Sequence, residues 1–201
     1  MPRHINSKNQ IMETKRLVGI ISTILLIANY ISTAVINSLF DVSDQFLKTY
    51  GLIAVLISFA GIIGLYYAVS RYLKQHNYKV ENILIISVII IKTVAIILWI
   101  IQNKYNTIPY LYSSVLNAIV MILLAAFGIM ILMRKDKEFI NLGELKLYII
   151  SWFSAIFLAM LISGLLTYLQ KPELMSITSL VLSIPNFFGL MFFLKDNVRL
   201  N

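Results

Sequence analysis

Six apolar stretches, each about as long as a lipid hydrocarbon core is thick, constrain this chain more than any other feature. They run Leu17 to Phe40, Tyr50 to Ser70, Ile83 to Ile101, Tyr110 to Met133, Leu147 to Leu169 and Leu174 to Leu194. A core of about 30 Å takes about 20 helical residues to cross. Backbone N–H and C=O groups in lipid must be satisfied within their own segment, so each stretch reads as a transmembrane helix. The expectation is an all-α polytopic membrane protein with six transmembrane helices in three antiparallel hairpins. It comprises a basic tail over 1–16, a helical domain over 17–194 and a second tail over 195–201. The first stretch is longer than the roughly 7 to 15 residues of a signal-peptide core. Ser32-Thr33-Ala34 resembles a cleavage site, but the apolar run continues past it, which makes this a retained span.

Composition agrees: 59% of the side chains are hydrophobic and 13% charged, against about 45–50% and about 25% in soluble domains. A net charge of +8 could point to nucleic acid, but the basic residues sit at the ends of apolar runs and form no separate basic face, so no nucleic-acid partner is expected. Their distribution sets topology instead. Of 17 Lys and Arg, 13 fall in the N-terminal tail, the second and fourth connections and the C-terminal tail. Lys48, Lys104 and Lys171 stand in the alternate segments, and Lys92 completes the set. By the positive-inside rule both termini are cytoplasmic, in a multi-pass cell-membrane protein. Trp99, Tyr105 and Tyr110 near the outer ends, with Tyr72, Tyr148 and Trp152 near the inner ends, fit interfacial aromatic belts. No connection exceeds about a dozen residues, which leaves no soluble domain between the spans. Short connections bring neighbouring spans together antiparallel, with outer turns expected over Asp41–Thr49, Gln102–Pro109 and Gln170–Glu173.

Lys92 is the one charge in the middle of an apolar run. A lysine there costs about 2.5 to 3.5 kcal/mol on insertion scales. Fourteen of the 19 residues from Ile83 to Ile101 are Ile, Leu or Val, which contribute up to about 4 to 8 kcal/mol in favour, so the span inserts despite its lysine. Nine residues separate Lys92 from either end, about 14 Å of helix, beyond the reach of its own side chain. It needs a partner, water or a lost proton. Its helical neighbours Ile85, Val88, Ile89, Ala95, Ile96 and Trp99 offer no counter-ion. Candidate partners at similar depth are Asn29, Asn186 and the Val181 carbonyl, whose helical donor Pro185 removes. Two readings stay open: an internally bonded or water-reached lysine without a transport role, or one that meets an anion or a carboxylate from another subunit. Pro185 beside Asn186 marks a kink, which serves either as a packed irregularity or as part of a binding site.

Small residues form stripes. Ser151, Ala155, Ala159, Ser163 and Thr167 recur every fourth residue in the fifth span, and Ala60, Gly64 and Ala68 do so in the second. Such spacing lets helix backbones approach closely in lipid. Packing inside one bundle and association with a second copy or a partner membrane protein both use it. A weak threefold repeat aligns Gly64, Gly128 and Gly189, each followed by a basic residue: Arg71, Arg134 and Lys195.

The inventory for catalysis is poor. His4 and His76 lie outside the spans, and cysteine is absent, which removes disulfides, thiolate metal sites and thiol nucleophiles together. No nucleotide-binding fingerprint occurs. The chain is expected to be non-enzymatic, without catalytic residues, metal or cofactor. A structural or accessory component of a membrane assembly is the first functional expectation. The alternative is a small transporter or channel for an anionic or amphiphilic solute with Lys92 in its path.

Glu13-Thr14-Lys15-Arg16-Leu17-Val18-Gly19-Ile20 opening the first span, then Ala125-Ala126-Phe127 with the basic stretch after it, Ile162-Ser163-Gly164-Leu165 and Phe192-Phe193 carry a likeness. Through them the chain resembles an uncharacterised family of small archaeal and bacterial integral membrane proteins, a domain of unknown function. That family's first span is richer in glycine than this one, and an intramembrane lysine is not typical of it. It has no assigned activity, so the resemblance implies a multi-pass membrane fold and no functional residue.

Overall fold

A computed structural model describes residues 3–39, 44–105, 109–135, 141–171, 174 and 176–195. Six helices order the described residues: α1 Arg3–Leu39, α2 Asp44–Gln75, α3 Lys79–Tyr105, α4 Tyr110–Met133, α5 Leu142–Tyr168 and α6 Ile177–Lys195. No strand occurs among the described residues. All six are long and apolar enough to cross a membrane. Their outward surface is apolar, with Ile83, Ile122, Phe157 and Met133 among many large exposed side chains. A surface of that kind belongs in lipid.

Five helices differ in extent from the apolar runs. α1 starts at Arg3 inside the expected tail, and α2 starts at Asp44 inside the expected outer turn. α3 continues past Gln102 to Tyr105, α5 opens at Leu142 ahead of Leu147, and α6 begins at Ile177 rather than Leu174. Hydropathy marks where a helix meets lipid, but the i to i−4 ladder continues until a backbone signal stops it. Two such signals are visible. At the end of α2, Asn77 adopts a left-handed φ of 58° while Tyr78 N–H bonds the Leu73 carbonyl at 2.9 Å and Asn77 N–H bonds the Lys74 carbonyl at 3.3 Å. After α5, Gln170 (φ 55°) does the same, with Lys171 N–H on the Leu166 carbonyl at 2.9 Å. Both closures are Schellman motifs, which satisfy terminal carbonyls and turn the chain. α4 coincides with its apolar run because Pro109 caps its start and extended Arg134 ends it.

The chain divides into two compact units, Met1–Leu65 with Ile140–Asn201, and Tyr66–Phe139. In the first, α6 packs against both α1 and α5. Its C-terminal carbonyls, which have no intrahelical donors, are bonded from both sides. Arg16 Nε of α1 donates to the Phe193 carbonyl at 3.1 Å, and Asn141 Nδ2, at the start of α5, donates to the Phe192 carbonyl at 3.3 Å. Lys195 and Glu144 form an ion pair at the same end. Close backbone approach occurs where glycine permits it: the Phe193 ring covers Gly19, while Ser22 and Leu26 of α1 sit on Gly64 and Gly61 of α2. In the second unit α3 packs along α4.

Candidate functional site

Lys92 lies on a row of α3 that includes buried Ile85, Val88 and Ala95. Its own exposure is intermediate, and its ammonium Nζ donates to Asn117 Oδ1 of α4 at 3.0 Å. Asn117 is exposed. The Lys92 side chain is thus partly covered, while its bond to Asn117 lies exposed on the α3–α4 pair. Lysine has three donors and no acceptor, so the bond to Asn117 leaves two N–H groups unused. Among the described residues no carboxylate pairs with Lys92, whereas Arg134 pairs with Glu81 and Lys195 with Glu144.

Eleven residues earlier on α3, about 16 Å of helix, Glu81 is fully buried and accepts from Arg134 Nε at 2.6 Å. The Arg134 guanidinium stands 4.8 Å over the Tyr78 ring, a cation–π contact that helps hold it in place. Ser70 Oγ donates to Asn82 Oδ1 at 2.6 Å nearby in sequence. Among the described residues Glu81 Oε2 has no hydrogen-bond partner, and ten residues beyond Lys92 neither polar atom of buried Gln102 has one. The described part of α3 therefore carries polar groups near both ends and in the middle.

The other residues singled out from sequence lie in the first unit or are split between the two. Asn29, buried in α1, donates to Ser58 Oγ of α2 at 2.7 Å. Asn186, buried in α6, donates to the Leu182 carbonyl of its own helix at 3.3 Å, and buried Pro185 sits within a helix that continues on both sides. In the fifth-span stripe Ala155 and Ala159 are buried, Ser151 and Ser163 are intermediate, and Thr167 is exposed and bonded back to the Ser163 carbonyl. Nothing lies within 4 Å of where a side chain on Gly164 would begin. In the second-span stripe Ala60 is exposed, Gly64 receives Ser22 and Ala68 is fully buried. Gly189 of α6 receives Thr23 and Tyr148.

Asn117 is the residue that sequence reasoning missed. The signal for it was a lone amide inside the apolar run from Tyr110 to Met133, on the span that follows the lysine-bearing one. Chemically the pair is a donor-rich cationic patch, set where a charge is costly. No group of three or more potential metal-ligating side chains occurs among the described residues. No family model, curated protein or solved structure matches the chain.

Proposed function

We propose that the protein is a non-enzymatic accessory component of a cell-membrane assembly. In this reading its spans form three antiparallel hairpins, both termini are cytoplasmic, and it works without a metal or cofactor. The observation that supports it is the Lys92–Asn117 bond at the exposed edge of α3 and α4. Ionisable groups within spans mostly face other protein or water, because lipid leaves them unsolvated. A neighbouring protein covering this edge supplies what lipid does not. The same edge fits an anion path less well, since a path needs walls on every side of the charge.

Photo-crosslinking in native membranes tests the proposal. A photoreactive side chain replacing exposed Ala118, one residue from Asn117, is expected to give a discrete heavier adduct, and one replacing exposed Phe157 on α5 is not. Adducts with lipid alone at both positions would count against an assembly. Anion flux in liposomes that falls in Lys92→Met would favour the transport reading.

A further inference from the structure

We infer that the exposed edge of α3 and α4 docks a transmembrane helix of a different protein, one that carries an aspartate or glutamate at mid-depth opposite Lys92. This rests on the assembly reading above and names the partner's chemistry. Three observations converge on it.

The first is donor excess. After Lys92 bonds Asn117 Oδ1, two ammonium N–H groups and the Asn117 amide NH₂ remain as donors at one place. A carboxylate has two oxygens and no proton, so it can accept from Nζ and Nδ2 together. The second is depth. Lys92 lies 13 residues from Lys79 and 10 from Gln102, the ends of its span, about 20 Å and 15 Å along the helix. A lipid phosphate sits at the interface, too far away to serve as counter-ion.

The third is the chain's own acid content. All nine Asp and Glu lie outside the middle of the apolar stretches: Glu13, Asp41, Asp44, Glu81, Asp136, Glu138, Glu144, Glu173 and Asp196. A second copy therefore has no carboxylate to place at this depth, and the acid comes from another polypeptide. The shape of the edge fits a helix as well. Ser114 and Ala118 flank Asn117 on α4, both small and exposed, a pair at four-residue spacing that admits a close helix approach.

The test uses the full-length chain reconstituted in phosphatidylcholine vesicles, labelled with a donor fluorophore. The probes are acceptor-labelled synthetic helices of leucine and alanine, long enough to span, with Asp, Asn or Leu at the central residue. The Asp helix is expected to reach half-maximal energy transfer at a mole fraction at least tenfold below that of the Leu helix, and well below that of the Asn helix. Lys92→Arg is expected to keep the preference and Lys92→Met to abolish it. Equal binding of the Asp and Asn helices to the wild-type chain would overturn the inference, and this comparison needs no variant to fold. A preference that survives in a folded Lys92→Met chain would overturn it too. A discrete crosslinked adduct at Ala118 without any Asp preference would sink the acidic partner and leave the assembly reading standing. An Asp preference without an adduct would show only that Lys92 can select a carboxylate in the bilayer, and would sink the assembly reading together with the partner that rests on it.

Discussion

Lys92 Nζ and Asn117 Oδ1 are 3.0 Å apart, joining the middle of α3 to the first third of α4. The bond links the only charge at the centre of an apolar stretch to an exposed amide, with the chain's own carboxylates elsewhere. That combination makes the pair a poor investment for internal stability. A partner outside the chain gives it a use.

Replacing the lysine should therefore not weaken the isolated protein. Lys92→Met removes a charge costing about 2.5 to 3.5 kcal/mol to place at the centre of a span. It gives up one charge-assisted hydrogen bond, of about 1.5 to 3 kcal/mol where well buried and less at an exposed edge. Thermal unfolding in mild detergent, followed by circular dichroism, is expected to show a midpoint equal to or above wild type. A midpoint several degrees lower would make Lys92 a structural member of its unit.

Glu81 and Arg134 should behave in the opposite way. Glu81 is fully buried and accepts from Arg134 Nε at 2.6 Å, so Arg134→Met strands a carboxylate. Breaking a buried pair costs about 3 to 5 kcal/mol, and the partial exposure of Arg134 puts the expectation at the lower end. Adding Glu81→Gln should recover most of the loss. Unfolding of the two single variants and the double variant measures the coupling; additive losses would show that the pair does not act as a unit.

Glycines that look alike in sequence should respond differently. At Gly61 a Cβ would stand 2.7 Å from Leu26 Cγ, whereas at Gly164 it would meet nothing within 4 Å. Gly61→Leu should cost about 1 to 3 kcal/mol through overpacking. Gly164→Ala should be neutral or stabilising by up to about 1 kcal/mol, the helix-propensity gain. Thermal unfolding of the two variants checks the contrast, and a destabilised Gly164→Ala would reveal a helix seated against the upper part of the fifth-span stripe.

The six helices were legible because lipid imposes one rule on every span, and the length of an apolar run reports it directly. Their ends were less so: Arg71 to Gln75 reads as a loop by charge but remains helical until Asn77 takes a left-handed φ. Lys92 announced itself by its cost, and its partner did not. Asn117 carries no charge and offers no contrast until the packing of α4 on α3 brings it within reach. The polar residues chosen by depth, Asn29 and Asn186, found bonds to Ser58 and to the Leu182 carbonyl. Small-residue spacing pointed to close packing, yet it could not tell Gly64, which receives Ser22, from exposed Gly164. What covers a helix is a property of the fold, absent from the spacing itself.

Sidedness has a clean readout, since the chain contains no cysteine. Single cysteines replacing Lys8, Lys74 or Arg199 are expected to react with an impermeant maleimide only when the cytoplasmic face is open. One replacing Lys171 should react from outside in intact cells. Reaction of the two tails from opposite faces would rule out an even number of crossings.

The most direct measurement is the depth and surroundings of the α4 position beside Asn117. A spin label on Ala118→Cys in phosphatidylcholine vesicles should be readily reached by oxygen, poorly reached by a water-soluble nickel chelate, and lie within the hydrocarbon core. Ready access by the nickel chelate would place this edge in a water-filled passage and contradict a lipid-facing docking surface around Lys92.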